Sequence, residues 1–341
     1  MPIVQHLVAD TFGSHVGKYS ERLKLTKKGE TLAEAPLIHL ESVVISSRGV
    51  SISADALAEC CERGIPVQFV DEHGVPYAAI YSAGLTGTVL TRRAQILAYT
   101  DQRACQLAIA FATGKIQNQS ITLRYYAKNR KETAPEVYQE LSLSAGEVLD
   151  HLAWLDRLDG ECVDDIRGEV LAAEGNAARR YWEAVKWIVP ERYGWPGRKG
   201  RGATDPINGM LNYGYGILYQ QVQRAIVLAG LDPYAGFIHT DRPGKPSLVL
   251  DLIEEFRQVG VDRVVFGLAA RDFSVEQQED GLLTQETRRA LAERVLTHLE
   301  AEMRYEGKRF PLRAIIQQQA RHLASFLRGE REAYIPYKAE W

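Results

Sequence analysis

The hydrophobic pattern of this chain changes period once, near Thr88, and that change constrains the fold more than any other feature. Before it lie short apolar, β-branched runs separated by turn residues, at 2–8, 16–25, 37–46, 67–70 and 77–81. The segment Asp71-Glu-His-Gly74 between the last two reads as a hairpin loop, with glycine available for positive φ. One helix interrupts the runs. Ser53 caps it, residues 54–63 fill it, Gly64 ends it and Pro66 blocks continuation.

After Gly84-Leu-Thr-Gly87 the spacing becomes helical, with predicted helices over 89–113 (ended by Gly114), 120–129, 135–156, 163–188, 207–228, 246–259, 285–305 and 311–328. The row Ile166, Val170, Ala173, Ala177, Tyr181, Val185 steps by three and four and predicts a buried stripe. The reading is an α+β multidomain chain. Residues 1–87 form a β-rich domain, and residues 88–341 a larger helical domain that carries the chemistry.

The 341 residues suffice for two domains, and 45% hydrophobic content suffices for a core without staples. The four cysteines, Cys60, Cys61, Cys105 and Cys162, contain no CxxC pair, which argues against a zinc site or disulfide framework. No run reaches the ~20 apolar residues of a membrane helix. The first residues lack a signal-peptide pattern, so the expected location is cytoplasmic. The net charge of −3 argues mildly against a nucleic-acid partner. Local clusters argue the other way: Arg192, Arg198, Lys199 and Arg201; Arg179 and Arg180 after Glu174; Arg242 and Lys245 after His239. The stretch Tyr193-Gly-Trp-Pro-Gly-Arg-Lys-Gly-Arg-Gly202 is a basic, glycine-rich loop, expected to be mobile.

Two segments about 65 residues apart hold the chemistry. The first is Glu174-Gly-Asn-Ala-Ala-Arg-Arg-Tyr-Trp182. The second runs Gly236-Phe-Ile-His239, then Lys245, then a helix bearing Asp251, Glu254 and Glu255. At about 100° per residue, Asp251 and Glu254 lie about 60° apart, away from the stripe of Leu248, Leu252 and Phe256, so both can face one cleft or bulk water. Gly175 costs its helix about 1 kcal/mol relative to alanine, a cost that a close backbone or ligand would offset. Two carboxylates and an imidazole beside cations suit a divalent metal acting on a phosphodiester, with imidazole better accepted by Mn²⁺ than by Mg²⁺.

These segments, with Asn208-Gly-Met-Leu-Asn-Tyr-Gly-Tyr-Gly-Ile-Leu-Tyr219, Leu231-Asp-Pro233 and the terminal Tyr334-Ile-Pro-Tyr…Trp341, resemble the CRISPR-associated spacer-acquisition integrase, the larger of the two universal adaptation proteins. The likeness runs over essentially the whole chain. It implies a β-sandwich domain followed by a helical one, and a homodimer joined by a small ferredoxin-like partner. It implies Mg²⁺ or Mn²⁺ held by Glu174, His239 and Glu254, with Asp251 a supporting acid or alternative ligand. Some members carry Asp where this chain has Glu254. Lys245 is expected at the phosphate, and Arg179, Arg180, Arg198, Lys199 and Arg201 along DNA. The implied reaction is attack by a 3′-hydroxyl of a short duplex on a phosphodiester at a CRISPR repeat, with endonuclease activity at the same site and branched as well as double-stranded DNA as substrates. Two other readings stay open on the residues alone: a metal-dependent phosphodiesterase of another kind, and a DNA-binding scaffold with an inactive site. The strand-rich front end, with no acid–His cluster, is expected to dimerise and dock the partner.

Overall fold

A computed structural model describes residues 6–71, 76–81, 88–128, 130–200 and 202–340. The loop at 72–74, the 84–87 segment, Arg201 and Trp341 lie outside these residues. The chain divides into two compact units, 1–86 and 87–341.

The first unit holds strands β1 (His6–Ala9), β2 (His15–Tyr19), β3 (Arg22–Lys27), β4 (Glu30–Pro36), β5 (Ser42–Ile45), β6 (Ser51–Ile52), β7 (Val67–Val70) and β8 (Pro76–Ile80), with helix α1 (Ala54–Glu62) before β7. One sheet has the order β1-β5-β7-β8 and the other β4-β3-β2-β6. Leu7, Val43 and Val67 of the first, Val16, Leu23, Leu25 and Ala35 of the second, and Ala56 and Cys60 of α1 share one core. Pairing of alternate inward residues from two sheets is the sandwich device. β7 and β8 pair antiparallel from Val67↔Ile80, as the hairpin reading requires. The run at 16–25 is two strands, turned at Ser20 (φ 52°), and β4 carries no sequence signal strong enough to predict it. Lys28 and Gly29, both at positive φ, make the tight turn between β3 and β4.

The second unit comprises α2 (Thr88–Ala98), α3 (Gln102–Ala127), α4 (Pro135–Asp150), α5 (Leu152–Leu155), α6 (Val163–Val185), α7 (Pro206–Leu228), α8 (Ser247–Ile253), α9 (Arg263–Ala270), α10 (Gln285–Leu299) and α11 (Leu312–Leu327). A hairpin, β9 (Glu302–Tyr305) with β10 (Lys308–Pro311), sits between the last two, so the domain is not purely helical and the helix predicted over 285–305 ends at Leu299. The stripe of α6 is buried as its spacing predicts. α7 packs against α8, α9, α10 and α11 and is the unit's central helix.

Two glycines reverse their expected roles. Gly114 does not end a helix. It lies inside α3, where a Cβ would come within 2.9 Å of Glu255 Cγ and Pro336 Cβ. The real break falls earlier, where the Asp101 side chain caps α3 by accepting from the N–H of Arg103. Gly175, by contrast, has nothing within 4 Å of where its Cβ would stand. The helix predicted over 246–259 is also interrupted. α8 stops at Ile253, and Gln258–Asp262 form a π-helix that runs into α9. Among the described residues no helix is long and apolar enough to cross a membrane, and all four cysteines are free thiols.

Candidate active site

Four elements of the second unit converge: α3 with Lys115, α6 with Glu174, the loop before α8 with His239, and the chain after α8 with Glu254 and Arg257. The loop is built on Asp251, which α8 presents wholly buried. Its Oδ2 accepts the backbone N–H of Phe237 (2.6 Å) and of Ile238 (3.1 Å). Its Oδ1 accepts the N–H of His239 at 3.0 Å and faces His239 Nδ1 at 2.7 Å. A carboxylate that accepts three backbone N–H groups is an acceptor, so Nδ1 donates to it and Nε2 is the ring nitrogen left for another partner. Gly236 is required here, because a Cβ would stand 2.7 Å from the Ser247 carbonyl carbon and 2.8 Å from Asp251 Oδ2. Ser247 Oγ accepts the Gly236 N–H at 2.9 Å and closes the turn. Arg167, two turns before Glu174 on α6, donates to the Phe237 carbonyl at 3.2 Å and ties the loop to that helix.

Asp251 therefore holds the histidine, while Glu254 meets Lys115 and Arg257. Glu254 is 5% exposed, so neither acid faces bulk water. Its Oε1 accepts from Arg257 Nε at 3.0 Å. Its Oε2 is buried and lies 2.7 Å from Lys115 Nζ, which also contacts Glu174 Oε1. Burial opposes the charge on Glu254, but Arg257, Lys115 and His239 outweigh it and hold its carboxyl well below the usual range. Burial likewise works against the Lys115 ammonium, and Glu254 with Glu174 more than offset it, so its pKa rises.

Glu174 and Glu254 thus meet through a lysine that no sequence motif marks. With His239 they are not closed to ligand distance: no choice of one donor atom from each brings all three within 4.8 Å of one another. The donor set nonetheless fits a hard divalent ion. Two carboxylates and an imidazole whose Nε2 is turned away from Asp251 come from neighbouring elements, and the acids have already drawn a cation between them.

Behind Glu254, the next residue anchors the C-terminal segment. Glu255 accepts from Tyr334 Oη (2.6 Å), the Tyr337 N–H (2.7 Å) and Gln319 Nε2 (3.1 Å). Burial pushes its carboxyl up to about 8 against those three donors. Asn118, one turn from Lys115 on α3, donates to the carbonyls of Glu255 and Tyr337 and accepts the N–H of Ala339. The far side is equally ordered. Asp262, at the end of the π-helix, accepts from Tyr181 and Tyr215, whose ring lies beneath both Arg257 and Arg198.

The expected DNA-facing cations part company. Arg179 and Lys199 are exposed, and Lys245 is half-buried. Arg180 is spent between Glu140 and Glu147 of α4. Arg198 lies over the rings of Trp182 and Tyr215 and donates to Asn208 Oδ1 at 3.2 Å. The glycine-rich loop is tied to α7: Asn208 accepts the Lys199 N–H and donates to the Gly197 carbonyl, and Asn212 donates to that of Gly200.

The chain is similar to known proteins along its length. A relative from Archaeoglobus fulgidus, a CRISPR-associated endonuclease Cas1, is 38% identical over 346 residues, covering 98% of this chain and 99% of the relative. Two solved structures share the fold. A casposase bound to integration product superposes with a TM-score of 0.81 at 23% identity, covering 99% of this chain and 95% of that one. A Cas6-RT-Cas1–Cas2 complex gives a TM-score of 0.78 at 19% identity, covering all of this chain and 37% of that one. The family model for CRISPR associated protein Cas1 matches residues 7–296, and the chain belongs to the Cas1 family.

Proposed function

We propose that this protein is a metal-dependent DNA endonuclease and strand transferase that inserts short duplexes into a CRISPR array, with Glu174, His239 and Glu254 holding Mg²⁺ or Mn²⁺. The observation that carries this reading is the orientation of His239: Asp251 accepts a hydrogen bond from its Nδ1 and from three backbone N–H groups around it, which leaves Nε2 as the nitrogen available to a ligand. A histidine so held by a buried carboxylate is the usual arrangement behind a metal-bound imidazole. The relatives' name as CRISPR-associated endonucleases and the casposase's bound integration product support the same class of chemistry.

In the proposed reaction the 3′-hydroxyl of the incoming strand gives up its proton to water as its oxygen bonds to the array phosphorus. The bond from that phosphorus to the array's own 3′-oxygen breaks, and the released oxygen takes up a proton. One phosphodiester replaces another, so no energy-rich cofactor is consumed. When bound, the ion polarises the phosphoryl oxygen and steadies the oxygen that attacks or leaves. Arg257 stands at Glu254 and stabilises charge that develops on the phosphate. Exposed Arg179 and Lys199, with Lys245 on the His239 loop, follow the DNA backbone. The chain works as a homodimer with a small ferredoxin-like partner, which its strand-rich first unit docks; the Cas1–Cas2 pairing named for one structural neighbour supports that choice.

Branched DNA incubated with the purified protein and Mn²⁺ or Mg²⁺ tests the assignment. Metal-dependent strand transfer is expected, abolished by Glu174→Ala and by His239→Ala. Full strand transfer by both variants overturns the site. Binding without cleavage under any divalent ion returns the protein to a DNA-binding scaffold, and cleavage without transfer to a general phosphodiesterase.

A further inference from the structure

Two carboxylates brought together from α6 and from the end of α8 repel one another unless a cation stands between them. Here the protein supplies that cation. Lys115 Nζ contacts Glu174 and lies 2.7 Å from Glu254 Oε2, on a side chain only 12% exposed. Its position is built in. Gly114, the preceding residue, lets α3 close onto Glu255 and Pro336, and Asn118 fastens the same stretch of α3 to the backbone at Glu255 and Tyr337. The other oxygen of Glu254 is held by Arg257.

Two acids facing two cations balance. A divalent ion added with the lysine in place leaves an excess of positive charge in a pocket with little water to screen it. The three candidate ligands are also too far apart to close on an ion while the ammonium separates the acids.

We propose that the Lys115 ammonium occupies the position that a divalent ion takes between Glu174 and Glu254, and that the ion enters only as Lys115 swings out to pair with a DNA phosphate. This rests on the metal-dependent reading above. Lys115 is then a positioning residue that makes metal and DNA bind together. Without DNA its ammonium competes with the ion. With DNA the phosphate receives it, and the acids are released to the metal. By linkage, DNA tightens the metal by the same factor as the metal tightens DNA.

The test is Mn²⁺ binding by the full chain, followed by the electron paramagnetic resonance of free Mn²⁺, with and without a short DNA duplex. Lys115→Met removes the competitor. Mn²⁺ affinity without DNA is expected to rise about tenfold or more, and the tightening produced by DNA, expected within the 5–150-fold range of ordinary couplings, to be largely lost. Metal-free Lys115→Met is expected to melt below wild type and to gain more from Mn²⁺, because its two acids lack a counter-charge. Lys115→Gln, closer in shape and able to hydrogen-bond, is expected to behave the same way and carries the test if the methionine variant does not fold. Mn²⁺ affinity without DNA that is unchanged or weakened in the folded variant overturns the proposal. Glu174→Gln and His239→Ala separate the two levels. If they abolish Mn²⁺ binding while Lys115→Met leaves it unchanged, only the role of Lys115 falls; if they leave it intact, the metal site itself is wrong.

Discussion

His239 Nδ1 lies 2.7 Å from Asp251 Oδ1, and the same carboxylate accepts the backbone N–H groups of residues 237, 238 and 239. One buried acid therefore sets both the shape of the loop and the orientation of its imidazole. Asp251→Asn replaces one acceptor oxygen with a donor that faces other donors. We expect a loss of stability on the order of 2 kcal/mol and a fall of about 10–100-fold in metal affinity, read by urea unfolding and by Mn²⁺ titration. Unchanged metal affinity in a folded variant would detach Asp251 from the site.

The pair Gly114 and Gly175 yields opposite expectations from one substitution. Gly114→Ala drives a methyl to within 2.9 Å of Glu255 and Pro336. Overpacking of that kind costs about 1–3 kcal/mol, more than the helix gains from alanine. Gly175→Ala meets nothing within 4 Å and gains up to about 1 kcal/mol. Thermal melting of the two variants checks the sign of each. A stabilised Gly114→Ala would mean that α3 and the C-terminal segment are not in contact in solution.

Glu255 makes stability depend on pH. Burial raises its carboxyl from 4.5 to about 8, so the folded chain holds a proton that the unfolded chain releases. That contribution is complete below pH ~4.5 and is lost as pH rises through ~8, at up to about 1.4 kcal/mol per pH unit. Glu255→Gln does not titrate. Its stability relative to wild type should therefore improve steadily between pH 5.5 and 8, measured by urea midpoints at each pH. Parallel profiles for the two proteins would show that Glu255 keeps an ordinary pKa.

Cations that look alike in sequence should separate by salt dependence. Neutralising exposed Arg179 and Lys199 is expected to flatten the plot of log binding constant against log salt by about 0.9 for each DNA phosphate that goes unpaired. Arg180→Ala should leave that slope alone and lower the melting temperature instead, because its guanidinium joins Glu140 and Glu147 to α6. A slope unchanged by the first pair would remove them from the DNA path.

Much of this protein was legible in its residues because the relevant forces are local. A period of two and then a period near 3.6 separates strands from helices, and the buried stripe of α6 and the capped helix α1 follow from neighbours a few residues apart. The Glu174 and Gly236–Ile238–His239 segments likewise announce themselves as a pattern of residue types. What the order of residues left open is which groups from distant segments meet. Gly114 has the look of a helix stop, and only Glu255 and Pro336, more than a hundred residues away, make it a close crossing inside α3. Asp251 and Glu254 are equivalent by helical angle, and the backbone of the His239 loop separates them into a holder and a candidate ligand. Lys115 carries no motif at all. Its place between two acids exists only once three helical segments pack, because desolvation forces charges of opposite sign together wherever the fold buries them.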